Sequence, residues 1–437
     1  MKHLVRSALQ WLADARLTRC VVDTLFRCRA RHRVVQLDHQ SVARCQNRTL
    51  LGLVNKAHTT RFGRDHDFRR IRTAGDFQRL VPLRTPAELW REYWQSSFPN
   101  LAGATWPEPI PYLAVSSAEH NGPFPYIPVS PALWAAQQTA ALTALAFVMH
   151  ARPRARLCSG RLFLLGGGTI LTPLGDPAQA DTVEAMAIRR LPAALQPYAF
   201  TAGQPPTDML VDDPFLRGLA ERSARLPVTC IAGSADRLAR FFAHVKRMTG
   251  RDRIVDVWPR LAAVLFGRGP ASLNRVHLAG EVGSPSVLCL EMYLRPEGAV
   301  ALEDPRFEGL RLLPDHGVYF EFVPLEEIGK PRPARYSAAE VKLGVPHALA
   351  ISSPAGLWAC LVGSVVCFER RNPPLLRVLD TGMPWEQPTA ERLPATAALR
   401  PPHPFPPQAP HPRSTGSRPL PREMPVPNIS SIRAERR

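Results

Sequence analysis

The chain has 437 residues, 45% of them apolar, and a formal charge of +18. That apolar share excludes a wholly disordered chain, and the length suffices for one large core or two domains. The charge does not by itself mark a nucleic-acid binder: 50 arginines against 5 lysines reads as a composition bias and not as a selected binding patch, and Phe62, Phe68 and Phe77 are spaced for packing, not for stacking on bases.

The first segment, residues 1–60, is basic and helical. Residues 1–75 carry 16 Lys and Arg against 5 Asp and Glu. Leu4, Ala8, Trp11, Leu12 and Ala15 share one helical face in an expected helix over 3–29, and a second helix is expected from about Val34 to His58. Two readings stay open, a basic element lying on a membrane surface or helices packed on their own domain, the second being the commoner. Arg6, Gln10, Asp14 and Arg16 interrupt any apolar run, so no signal peptide is expected.

Short helices and turns follow over 61–100, with Pro82 stopping a helix at Val81. Tyr112 to Val115 reads as a strand, and Ser130-Pro131 as the cap and first residue of a helix through Met149. Its most apolar part, Ala140 to Met149, is too short to span a bilayer, and no transmembrane segment is expected. Arg161 to Leu165 reads as a buried strand, with helical stretches around 178–195 and 233–249. Strands are then expected at 262–266, 286–292, 317–324 and 347–352, with a hairpin return over 357–368. Alternation of this kind predicts a layered α/β core over 61–372 with an antiparallel portion late in the chain. The proline-rich remainder, 373–437, reads as a disordered tail; its PxxP spacings suit an SH3-like partner, though a passive tail is the simpler expectation.

Eight cysteines (20, 28, 45, 158, 230, 289, 360 and 367) form no CxxC pair and no zinc-like cluster with histidine. A reducing, cytoplasmic setting is the expectation. The run Gly166-Gly167-Gly168-Thr169 lacks the glycine that a dinucleotide loop needs at 171, which is Leu171. No GxSxG elbow or GxxxxGK[ST] loop occurs. Glu297, just past a strand's C-terminal end, sits where ligands bind in open α/β sheets, and a carboxylate there can hold Mg²⁺ on a triphosphate.

Four stretches in order carry a resemblance. They are Thr60-Arg61-Phe62-Gly63 with Asp76-Phe77 and Val81-Pro82-Leu83; Ser116-Ser117 to Gly122 with Tyr126-Ile127-Pro128; Trp258-Pro259-Arg260-Leu261 with Tyr293 and Glu297-Gly298; and Gly317 to Pro324 with Gly356-Leu357-Trp358 and Gly363-Ser364-Val365-Val366. Over roughly residues 40–370 the chain resembles the GH3 family of auxin-responsive acyl-acid amido synthetases, a branch of the adenylate-forming enzymes. The resemblance implies an adenylate-forming large domain, ATP and Mg²⁺ as cofactors, and a carboxylic acid and an amino acid as substrates. It implies that Ser116, Ser117 and Gly122 belong to the phosphate loop, that Tyr293 packs on adenine, that Glu297 holds Mg²⁺, and that Ser364 stands where an aspartate accepts the ribose hydroxyls.

The departures are specific. Ala118-Glu119-His120-Asn121 replaces the small centre of the phosphate loop, and Glu119 would meet the phosphate charge. Pro296 replaces the serine before the glutamate, Ala359-Cys360 an Arg-Tyr pair, and Ser364 the ribose aspartate. No lysine follows Lys342, so the catalytic lysine of a C-terminal lid is not expected, nor is the lid itself. The sequence therefore suggests a degenerate member with catalysis lost or altered. The alternatives are an active ATP-dependent ligase and a non-catalytic module that holds a small carboxylate or a protein.

Overall fold

The structure, a computed structural model, describes residues 16–115, 126–166, 172–176, 178–181, 186, 191–192, 195–201, 213–269 and 273–381. Its first element corrects the expected pair of helices. One helix, α1 (Arg16–His39), runs through the predicted break near residue 30, because no Gly or Pro interrupts it. The break comes ten residues later, where Ser41 caps α2 (Val42–Ala57) by accepting from the Arg44 N–H.

These helices are fastened to the body of the fold. Asp23 accepts from the Cys158 N–H at 2.9 Å. Arg33 grips Asp315 at 2.5 and 2.9 Å and donates to Thr143. Asp38 pairs with Arg306 and Arg311, and Arg311 in turn holds the buried Asp304 at 3.0 Å. In α2 the buried Gln46 donates to the Pro314 and Val318 carbonyls and accepts from Phe320 N–H, so all three of these hydrogen-bonding demands are met inside the protein.

The Thr60-Arg61-Phe62-Gly63 motif forms α3 (Arg61–Asp65), capped by Thr60, whose hydroxyl accepts from Gly63 N–H at 3.0 Å and donates to Ala57 O at 2.7 Å. A Cβ on Gly63 would collide with the Ala57 carbonyl, which explains the glycine. Asp76 closes a capping box with Thr73 at the start of α4 (Ala74–Leu80), and Phe77 from that helix is buried. Thr85 and Glu88 make a second box on α5 (Pro86–Leu89).

Strand β1 (Tyr112–Val115) pairs antiparallel with β2 (Tyr126–Val129), Val115 opposite Tyr126. Helix α6 (Pro131–Ala151) follows, capped by Ser130. It is 21 residues long and by length and composition alone could cross a membrane, the one such helix among the described residues. Instead it is a core helix, with Ala140, Ala144 and Ala146 through Met149 buried in the fold.

Two sheets complete the layers. Four strands run β2-β1-β5-β4, where β4 is Thr172–Gly175 and β5 is Ala178–Asp181. The expected helix over 178–195 thus begins as a strand: β5 pairs parallel to β1 and antiparallel to β4, and sheet pairing overrides helical propensity there.

The second sheet has eleven strands. Its parallel half contains β3 (Arg161–Leu165), β6 (Ala199–Thr201), β7 (Val228–Ser234), β8 (Ala263–Gly267) and β9 (Leu288–Arg295). Helices α7 (Asp213–Ala224), α8 (Ala235–Thr249), α9 (Ile254–Val257) and α10 (Arg275–Val282) connect them. Phe163 of β3 meets Phe241 of α8 edge to face at 5.2 Å, and Trp258 stacks on Phe241 at 6.1 Å.

The antiparallel half runs from β9 through β10 (Gly298–Glu303), β11 (Leu310–Leu312), β15 (Pro374–Asp380), β14 (Leu357–Arg371) and β13 (Pro346–Ser353) to β12 (Tyr319–Pro324). β15 lies beyond the expected core boundary at 372. It inserts between β11 and β14: Leu376 and Val378, two apart, are buried on one face and Leu375 on the other. The expected tail from 382 onward lies outside the described residues.

Trp358 centres the larger core. Phe62, Phe68, Phe77 and Trp106 surround it with ring centroids 4.7 to 6.5 Å away, and its indole N–H donates to Thr105 O at 3.0 Å. Gly356 precedes it with φ +82, and a Cβ there would run into Thr105. Gly356→Ala is therefore expected to cost about 2–3 kcal/mol, from left-handed backbone plus collision, read as a shift in urea midpoint at unchanged m-value.

Candidate functional site

The antiparallel half brings three of the predicted site residues within the same part of the core. Tyr293 lies on β9, Glu297 in the turn into β10, and Ser364 on β14. All three are buried. The Tyr293 hydroxyl and the Ser364 Oγ share a hydrogen bond of 2.5 Å. A carboxylate at 364 would accept this bond and keep lone pairs for a ligand. The shorter serine ends its reach at the tyrosine.

Glu297 carries a partner that sequence reasoning did not single out. Arg295, itself buried, places Nε 3.2 Å from Oε2 and Nη2 3.5 Å from Oε1 of Glu297. Tyr293 also hydrogen-bonds to Arg295. Burial works against the Arg295 charge, but Glu297 and Tyr293 together outweigh it and raise the guanidinium pKa. Gln137 of α6 donates to the Arg295 carbonyl at 2.6 Å and anchors the strand end. The missed signal was local. Arg295 ends β9 and Glu297 sits in the two-residue turn between Arg295 and its partner Gly298, so the hairpin itself sets the two side chains together.

Cys360 lies near this pair, its thiol pushed well above the usual range by burial first and by Glu297 second, so it is a neutral core residue and no nucleophile. Next to it Ala359 adopts φ 45, a left-handed conformation unusual for a residue other than Gly, Asn or Asp. Hydrogen bonds hold it there: its N–H donates to Ser352 Oγ at 2.8 Å and its carbonyl accepts from Arg84 N–H at 3.2 Å.

A second polar cluster grows from the Phe62-Gly63 motif. His66 stacks on Phe62 at 4.1 Å. Its Nδ1–H donates to Phe62 O at 2.9 Å, leaving Nε2 to accept from Arg84 at 3.1 Å. Arg84 also pairs with Glu92. Every member faces another member, which makes this cluster a brace between α3 and the segment at Arg84, which bridges to Cys360.

The predicted phosphate-loop residues Ser116, Ser117 and Gly122 lie outside the described residues, as do residues 167–171 of the glycine run. Among the described residues, no group of three or more His, Cys, Asp or Glu side chains gathers to hold a metal ion.

Family models described as the GH3 family N-terminal domain and the GH3 family central domain match residues 31–200 and 311–380. No curated protein matches the chain by sequence. Among solved structures, an acyl acid amido synthetase, GH3.15 in complex with 2,4-DB, is similar over 80% of this chain and 70% of that one, at TM-score 0.61 and 14% identity. An open conformation of 2-hydroxyisobutyryl-CoA ligase in complex with 2-HIB-AMP and CoA is similar over 76% and 73%, at TM-score 0.53 and 14% identity. At such identities these likenesses establish the adenylate-forming fold alone.

Proposed function

Because the chain belongs to the GH3 family, whose members carry the adenylate-forming fold, we propose that it is a non-adenylating member whose nucleotide site is closed by its own side chains. The observation that carries this reading is the Arg295–Glu297 ion pair, both partners buried. The carboxylate that the resemblance assigns to Mg²⁺ already has a cation. Tyr293, assigned to adenine, is bonded to Ser364, assigned to the ribose.

These side chains do not fit a magnesium nucleotide. A metal at Glu297 would have to displace a guanidinium held by two contacts along one edge, and a ribose diol would have to break the Tyr293–Ser364 bond and be content with one hydroxyl where chelation takes a carboxylate. No catalytic step through ATP is therefore assigned to these residues. What the arrangement does is neutralise a buried acid and tie β9, the β9–β10 turn and β14 together.

Purified protein titrated calorimetrically with MgATP is expected to give no binding heat. Incubation with MgATP and a panel of carboxylic acids is expected to release no pyrophosphate above a heat-killed control. Acid-dependent pyrophosphate release would overturn the proposal in favour of an active ATP-dependent ligase joining a carboxylic acid to an amine.

A further inference from the structure

Helix α1 has two apolar faces, and only one of them is used. Ala30, Val34 and Leu37 are buried against the body of the fold. On the outer side Val21 is 57% exposed, Leu25 64% and Val35 53%, with Cys28, His32 and His39 exposed between and beyond them. The remaining exposed large apolar side chains of the described residues, Met248, Val276 and Leu343, lie singly on other elements.

The outer row has a definite period. Val21, Leu25, Cys28, His32, Val35 and His39 are spaced 4, 3, 4, 3 and 4 residues apart, the a/d pattern of a helix-pairing seam. A membrane-surface helix has a broad apolar face, and this stripe is narrow. Arg29 and Arg31, both exposed, occupy the flanking positions that set partner choice in helix pairs. The two acids of α1 are committed elsewhere, Asp23 buried on Cys158 and Asp38 on Arg306 and Arg311. The outer face therefore carries Val21, Leu25, Cys28 and Val35 along its centre, interrupted by His32 and ended by His39, with the cations Arg29 and Arg31 on its edges at mid-helix. Beside it a groove of about 300 Å³ opens between α1 and α6, with apolar walls from Phe26 and Leu142 and polar ones from Arg29, His32, Arg33 and Gln36.

We propose that this face is a docking seam for an acidic amphipathic helix of a partner protein. Charge complementarity selects that occupant. A second copy would bring the same cationic edges together. The chain's own residues 382–437 carry eight arginines against four glutamates and no helical period, so they supply no acidic helix. The proposal does not depend on whether the nucleotide site is closed.

Two synthetic helical peptides of about three heptads, with leucine at a and d, test it. One carries Glu at the flanking e and g positions and the other Lys. By fluorescence anisotropy the full chain is expected to bind the Glu peptide at about 10 μM or tighter and the Lys peptide at least tenfold more weakly. Leu25→Glu is expected to weaken Glu-peptide binding at least tenfold. The double change Arg29→Glu with Arg31→Glu is expected to swap the preference towards the Lys peptide. These side chains are exposed, and an unchanged circular-dichroism melt checks folding. A cysteine at a d position of the Glu peptide is expected to crosslink to Cys28 and not to Cys20. Failure to bind the Glu peptide, or equal binding of both peptides, overturns the proposal. So does a concentration-dependent dimer that Leu25→Glu abolishes, which assigns the seam to a second copy, or pelleting with phosphatidylserine vesicles that the same variant abolishes, which assigns it to a membrane.

Discussion

Arg295→Ala is expected to lower the unfolding free energy by roughly 3–5 kcal/mol, the largest single-site effect anticipated in this protein. The guanidinium and the Glu297 carboxylate lie 3.2 Å apart with 6% and 0% of their side chains exposed. Removing the cation strands an ion in surroundings that cannot hydrate it. The reciprocal change, Glu297→Gln, leaves a neutral amide that still accepts a hydrogen bond but no longer balances the arginine, and should cost somewhat less. Replacing both partners with apolar residues of similar volume, Arg295→Met with Glu297→Leu, is expected to return most of the loss, because the desolvation cost of both charges disappears together. Urea unfolding of the wild type, Arg295→Met, Glu297→Leu and their combination provides a double-mutant cycle, with Arg295→Ala measured beside it. An Arg295→Ala cost under 1 kcal/mol would mean that the pair is solvated, and the closed-site reading would lose its main support.

Acid should begin to destabilise the fold as pH falls below about 6.5. Burial lowers the pKa of three histidines: His316 to about 4, and His66 and His347 below their ordinary value. His316 donates from Nε2 to the Ala299 carbonyl at 2.5 Å and faces Asp315, Arg33 and the Phe320 ring. In the unfolded chain an imidazole titrates near 6.5. Between 6.5 and the folded value, the unfolded chain takes up protons that the folded chain refuses. Stability is thus complete above about pH 6.5 and declines as pH falls towards 4. For His316 alone the loss from pH 7 to pH 5 is about 2 kcal/mol, and the other two add in the same direction. His316→Gln is expected to flatten the stability–pH profile over that window while lowering the pH 7 value modestly. A profile equally steep in the variant would show that His316 is protonated at little cost in the folded protein.

Much of the fold was legible in the sequence because its signals are local. The Ser130 cap and the Thr73/Asp76 box sit where the residue types demand them. Strands β8, β9, β12, β13 and β14 follow alternating or continuous apolar runs, whereas β10 and β11, between β9 and β12, carry no such expectation in the sequence. The elements that were missed or misplaced depend on distant partners. β5 is a strand because β1 and β4 lie beside it, and β15 belongs to the sheet because β11 and β14 leave an edge for it. β7 was absent from the sequence reading although all its early residues are buried, since a short apolar run cannot be told from a helix by period.

The sequence by itself determined the family, the order of its motifs and the identities of the replaced groups: Ser364 where an acid is expected, and Pro296 before Glu297. Residue type decides how many lone pairs or charges a position can offer, whatever surrounds it. Only the tertiary structure decided what the surviving groups do. Tyr293 and Ser364 are 71 positions apart and meet because β9 and β14 fold into one sheet. Whether Glu297 is available to a ligand depends on burial and on the neighbour it finds there, and a carboxylate removed from water takes the nearest cation, here Arg295.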